Sequence, residues 1–218
     1  MGSFTSTKQL SRLHRSRALT LIDTLVVIAT LSLGILAILP LIGRDRARST
    51  RITCVNNLRQ MGIAMRMWAN DNQDRFPWSS TNINETILKP YAYCLLATNE
   101  LNSPKILVCP EDSARIRTVV FDQQFSDKNL SYFLGLDADE TKPNTLMSGD
   151  RNLSTNNTIL TGQVTIQNSK NLTWAPGIHK DAGNIGLGDG SSQQVSTKQI
   201  RSMIDYGKVP VPQRILIL

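Results

Sequence analysis

An α+β fold is predicted, with one long N-terminal helix packed on a small, mostly antiparallel β-sheet head. Three observations predict it: an apolar run near the N-terminus, apolar residues at helical spacing directly after it, and short apolar runs bounded by turn residues over the rest of the chain. The chain has 218 residues, 40% hydrophobic and 19% charged, enough for one modest globular domain plus a further segment. A large multidomain enzyme is excluded.

Residues 1–18 carry Lys8, Arg12, Arg15 and Arg17 and no acid. The whole chain has 24 Lys and Arg against 17 Asp and Glu, a net charge of +7; setting those four aside leaves 20 against 17, or +3. No basic stripe interleaved with aromatics follows, so nucleic acid is not an expected partner.

Residues 19–42 read LTLIDTLVVIATLSLGILAILPLI, with Asp23 as the only charge. As a helix this run is about 36 Å long, against a bilayer core of about 30 Å. The basic flank holds the N-terminus in the cytoplasm and sends the bulk of the chain across the membrane. The run exceeds the roughly 7–15 residues of a cleavable signal core, lacks an A-x-A-like closing site, and carries a carboxylate near its start. It is expected to stay in the mature protein as a single transmembrane helix.

Residues 43–72 continue the helix on an amphipathic plan. After the polar GRDRARST, apolar side chains recur at Ile52, Val55, Leu58, Met61, Met65 and Trp68, in steps of three and four. One helix is therefore expected from about Leu19 to about Asn70, ended by Asn70-Asp71-Asn72 and Phe76-Pro77. Pro40 removes one helical hydrogen bond and is expected to kink it.

Residues 73–218 form the extracytoplasmic head. Strands are expected at 105–109, 130–136, 145–148, 158–166, 184–187 and 193–196, then a short helix over 197–206 and an extended tail opened by Pro210 and Pro212. The sheet needs a cover for its apolar face, and the stripe on the long helix supplies it.

Candidate functional residues are few. Asp23 is an ionisable group within a lipid-facing run, a position expensive enough to mark a functional site. His179 is the only histidine after the first 18 residues, so a histidine-based metal cluster is not expected and any triad would need this side chain. Ser191 and Ser192 lie nearby without a nucleophile-elbow pattern. The expectation is structural: Gly186, Gly188 and Gly190 permit tight turns, and Asp189-Gly190 sets a hairpin. No catalytic residue and no resident metal or cofactor is expected. Calcium is the one ion that Asp137, Asp139, Glu140 and Asp150 raise, although they lack EF-hand spacing and read as a solvated acidic turn. Of three cysteines, Cys94 and Cys109 are a candidate disulfide enclosing 14 residues, which leaves Cys54 as a buried apolar residue or an intersubunit contact.

The segment Ala18-Leu19-Thr20-Leu21-Ile22-Asp23-Thr24-Leu25-Val26-Val27-Ile28-Ala29, preceded by the basic leader, resembles the processing site of type IV pilins and of the pseudopilins of type II secretion systems. The family prefers Gly, Phe and Glu where this chain has Ala18, Leu19 and Asp23. The resemblance implies cleavage of a leader between Ala18 and Leu19 by a prepilin peptidase, N-methylation of Leu19 by a methyltransferase, and pairing of Asp23 with the N-terminal amine of a neighbouring subunit. Pro40 matches a proline common at this depth of the stalk. Cys54–Gly62 (CVNNLRQMG), Trp68–Pro77 (WANDNQDRFP), and His179 followed nine residues later by Asp189-Gly190 resemble a pseudopilin-like subgroup of Planctomycetes and Verrucomicrobia that carries an H-X9-DG signature. A pilin-like fold and a non-enzymatic filament subunit of the bacterial inner membrane are implied, with a periplasmic head. The implied partners are the processing enzyme, other pilin-like subunits, an assembly platform and membrane lipid. The alternative is a single-span tether bearing an extracytoplasmic binding or enzymatic domain.

Overall fold

The computed structural model describes residues 20–80 and 89–218, with the backbone alone over residues 37–47 and at Ser80. The expected leader, Ala18 and Leu19 lie outside the described residues, and so does the side chain of Pro40. The chain divides into two compact units, residues 1–45 and 46–218. The first helix, α1 (Leu21–Asp71), contributes to both. Among the described residues no helix is long and apolar enough to cross a membrane; side chains of the apolar run are described only over residues 20–36.

In the first unit, Thr20 and Asp23 close the start of α1. The Thr20 amide and hydroxyl donate to Asp23 Oδ2 at 3.0 and 2.8 Å, and the Asp23 amide donates to Thr20 Oγ1 at 3.3 Å. This is a capping box with Asp in the place of Glu, and it satisfies helix-start donors that would otherwise lack partners. The following apolar side chains, from Leu21 to Leu36, are exposed.

The second unit is α+β with an antiparallel sheet at its centre. Short helices α2 (Pro77–Ser80), α3 (Pro90–Leu96) and α4 (Thr98–Leu101) follow α1, and left-handed Gln73 and Asp74 turn the chain after it. The strands are β1 (Tyr132–Gly135), β2 (Leu146–Asp150), β3 (Leu153–Thr155), β4 (Thr158–Ile159), β5 (Gly162–Ile166), β6 (Leu172–Trp174), β7 (Ala182–Leu187), β8 (Ser192–Ser196) and β9 (Gln213–Ile217), with α5 (Thr197–Asp205) between the last two. Six strands form one sheet in the order β5-β9-β1-β2-β7-β8; β4, β3 and β6 form a second, three-stranded one.

Strand alternation sorts side chains to two cores. Tyr132, Leu134, Met147 and Leu216 pack with Cys54, Leu58, Met61, Ala64, Met65 and Ala69 of α1. Phe133, Leu146, Ile185, Ile215 and Ile217 point the other way and pack with Leu153 and Trp174 of the small sheet and with Ile200 and Ile204 of α5. The central strands β1 and β2 are buried throughout, as strands covered on both faces must be.

Four expectations are corrected. Residues 104–107 form a 3₁₀ turn rather than a strand, because the Ser103 hydroxyl accepts the Lys105 amide and Pro104 takes the first helical position. The run 158–166 is split at Gly162, whose φ of +73° turns the chain from the small sheet into the large one. The extended tail opened by Pro210 and Pro212 carries a strand absent from the expected six: β9 lies between β5 and β1. The buried face of α1 is also rotated from the expected stripe, since Ile52 is exposed and Cys54, Ala64 and Ala69 are buried instead.

Candidate functional site

Three elements far apart in sequence meet beneath the sheet. Cys54 comes from α1, Cys109 from the end of the segment after the 3₁₀ turn, and His179 from the loop between β6 and β7. All three are buried, and their potential ligand atoms lie within 4.8 Å of one another. Cys54 and Cys109 are joined as a disulfide with a Cα–Cα distance of 5.2 Å, while Cys94 is free and buried. This corrects the candidate Cys94–Cys109 pairing: nearness in sequence did not bring those sulfurs together, whereas packing against α1 delivered Cys54. Burial pushes the Cys94 thiol up to about 12, with the charge of Asp127 adding to it.

His179 and Lys180 are both left-handed, with φ of +55° and +56°, which turns the loop sharply so that the imidazole points inward. Its Nε2 stands 3.3 Å from Cys109 Sγ and 3.8 Å from Asp150 Oδ2, and its Nδ1 stands 3.8 Å from Glu111 Oε2. Burial lowers its pKa to about 4, and the Arg51 guanidinium acts in the same direction. The ring is therefore neutral at pH 7.

Asp150 ends β2, fully buried. Burial raises its carboxyl to about 7, the Asn184 amide hydrogen bonds oppose this, and the charge of Asp112 adds to the rise. Oδ2 accepts from the Asn184 backbone at 2.7 Å and from its side chain at 3.0 Å. Among the described residues, Asp150 Oδ1, Asn184 Oδ1 and His179 Nδ1 have no hydrogen-bond partner. Buried polar atoms without partners are rare enough to need a reason.

The surrounding backbone is held by hydrogen bonds from neighbouring elements. Asn57 donates to the Val108 carbonyl at 3.3 Å and Arg51 to the His179 carbonyl at 3.4 Å, while Asn152 donates to Ala175 and Ile178 at 2.8 and 2.9 Å. Arg151 turns away from Asp150 to grip Asp112 with two bonds of 2.7 and 2.8 Å.

The other end of the H-X9-DG signature docks a little further along α1. Asp189-Gly190 forms the β7–β8 turn, with Gly190 at φ +82° and Asp189 Oδ1 accepting the Ser191 amide at 2.8 Å. Arg66 donates to the Asp189 carbonyl at 2.7 Å and pairs with Glu140. The Ser192 hydroxyl donates to the Val55 carbonyl at 2.9 Å. Gly186 lies within β7 rather than in a turn, where a Cβ would meet Ser148 Oγ at 2.6 Å; at Gly188 it would meet the Lys142 carbonyl at 2.8 Å. A groove of about 780 Å³ beside this turn is lined by Arg59, Ile63, Arg66, Met67 and Glu140. Its central charges are already paired with each other.

The acids of the expected calcium turn take separate partners. Asp137 accepts from Arg214, Asp139 from Thr141, and Glu140 from Arg66, whereas Asp150 lies with His179. The cluster of Cys54, Cys109, His179 and Asp150 escaped the sequence reading, because counting histidines gave no hint that two distant cysteines would meet the one available. The signal that was present is His179 itself, set among the glycines of its signature.

No protein-family model, no curated protein and no solved structure matches this chain.

Proposed function

We propose that the chain is a pseudopilin-like subunit of a type II secretion or type IV pilus-like filament, inserted with its N-terminus in the cytoplasm, cut after Ala18, methylated at Leu19 and assembled through α1. The observation that carries this reading is the apolar start of α1. Leu21, Ile22, Leu25, Val26, Ile28, Leu31, Leu33 and Leu36 are 55% or more exposed, with Asp23 the sole charge in the run. A helix apolar on all sides needs lipid or neighbouring copies around it. In a filament, the N-terminal amine of one subunit meets the Asp23 carboxylate of the next, and the repeated, non-closing contact extends the polymer.

Intact-mass and N-terminal analysis of protein from native membranes tests the processing: the reading expects a methylated Leu19 as first residue, and a start at Met1 or Gly2 overturns it. Crosslinking in the membrane tests assembly. Asp23→Ala is expected to insert normally and lose neighbour crosslinks.

A second reading, a membrane tether for an extracytoplasmic domain, is favoured by one observation: Thr20 already satisfies the Asp23 carboxylate within the same chain. Under it, Asp23→Ala leaves crosslinking unchanged.

A further inference from the structure

We propose that the reduced form of this protein binds one tetrahedral divalent cation of the zinc class through Cys54, Cys109, His179 and Asp150. The inference stands independently of any role in a filament.

Three of the donors are already gathered, and the fourth, Asp150, stands beside the histidine. In a tetrahedral site with metal–ligand bonds of about 2.0–2.3 Å, neighbouring ligand atoms stand about 3.4–3.8 Å apart. Cys109 Sγ lies 3.3 Å, and Asp150 Oδ2 3.8 Å, from the same imidazole nitrogen, His179 Nε2. Both cysteines and the histidine fall within a 4.8 Å cluster. Breaking the bond between the two sulfurs frees them to part to the spacing that a metal site requires.

The polar surroundings call for a cation. Asp150 is wholly buried, the nearby guanidinium of Arg151 is committed to Asp112, and among the described residues Asp150 Oδ1 and His179 Nδ1 have no hydrogen-bond partner. Two thiolates in a fully buried site are negative charges that a divalent ion offsets. The ligands are also fixed from behind: Asn57 holds the Val108 carbonyl beside Cys109, Arg51 and Asn152 hold the His179 loop, and Asn184 holds Asp150. Such outer hydrogen bonds orient the ligands of natural metal sites.

The redox step uses an external dithiol. It gives two electrons and two protons to the Cys54–Cys109 bond, which breaks to two thiols while the dithiol closes to its own disulfide. The cation then displaces both thiol protons to solvent and forms bonds to the two sulfurs, His179 Nε2 and the Asp150 carboxylate. Disulfide and metal are alternative closures of one site.

The test uses the full-length chain with Cys94→Ala, so that no third thiol contributes, reduced anaerobically with a phosphine and titrated with Co²⁺ and then Zn²⁺. One equivalent of Co²⁺ is expected, with tetrahedral ligand-field and thiolate charge-transfer absorption that Zn²⁺ displaces; the oxidised protein takes up none. His179→Gln and Asp150→Asn are each expected to weaken uptake by about tenfold or more. No uptake by the reduced protein, or equal uptake by His179→Gln, overturns the proposal. If reduction unfolds the head, circular dichroism reads the same titration: Zn²⁺ is expected to refold the reduced parent and not His179→Gln, and failure to refold the parent overturns it.

Discussion

Gly62 on α1 and Gly190 in the β7–β8 turn face each other so closely that a Cβ built on Gly62 would stand 3.2 Å from both the Cα and the carbonyl oxygen of Gly190. With His179 beside Cys54 at the other end, the signature fastens β7 to α1 at two points. A helix can approach a turn this closely only where neither side carries a side chain.

The contact predicts a cost for the smallest enlargement. Gly62→Ala crowds Gly190 and Met147 Cε, and overpacking of this kind costs about 1–3 kcal/mol. Gly190→Ala adds the strain of a left-handed backbone, about 1–2 kcal/mol. Urea denaturation of the full chain in detergent, followed by tryptophan fluorescence, is expected to show lower midpoints for both. Unchanged midpoints would mean the turn is not held against the helix.

Acid sensitivity should pass through Asp112. Burial raises its carboxyl, but the Arg151 hydrogen bonds and charge, with help from Ser131 and the Ala114 amide, bring it below the ordinary value. A depressed carboxyl gives stability that is present above the unfolded value of about 3.9 and is lost as the pH falls through the folded one. Wild type should therefore lose stability below about pH 4, and Asp112→Asn should lose less over that window while being weaker at pH 7 by about 3–5 kcal/mol, the usual effect of removing one member of a buried pair. Denaturation midpoints from pH 3 to pH 7 decide it; parallel curves would remove Asp112 from the account.

Cysteine chemistry distinguishes the two bonding patterns. Peptide mapping without reduction is expected to recover Cys54 linked to Cys109, and Cys94 is expected to resist alkylation until the protein unfolds, since its thiol is buried and hard to ionise. Loss of a crosslink spanning 55 residues costs about 4 kcal/mol in the chain-entropy account, so Cys54→Ser should lower stability by about that much, while Cys94→Ser leaves the Cys54–Cys109 crosslink in place. A recovered Cys94–Cys109 peptide would reverse the assignment.

Gln213 ties the last strand in place. Its side chain is buried, accepting the Leu146 amide at 2.8 Å and donating to the Pro210 carbonyl at 2.7 Å. Gln213→Leu leaves the buried Leu146 amide without that partner, a loss of about 1–3 kcal/mol. Removal of residues 213–218 should abolish the cooperative unfolding transition, because β5 would lose β9, the strand that joins it to the sheet.

Local signals were readable and long-range ones were not. Ser196 and Gln199 form the capping box that starts α5, and Asp189-Gly190 makes the hairpin its chemistry suggests. Lys105–Cys109 looked like a strand from its apolar residues, yet Ser103 and Pro104 decided the backbone. The prolines before Gln213 suggested an extended tail, and nothing local to that segment shows that two strands flank it. The Cys54, Cys109, His179 and Asp150 cluster depends on four segments converging, information that exists only once the sheet has formed.

The position of β9 also sets an order of events in biosynthesis. Its two neighbours, β5 and β1, leave the ribosome first and stay apart until β9, the strand that joins them, has emerged. For that interval the sheet has an open seam, and the strands on either side of it wait for the last one to close it.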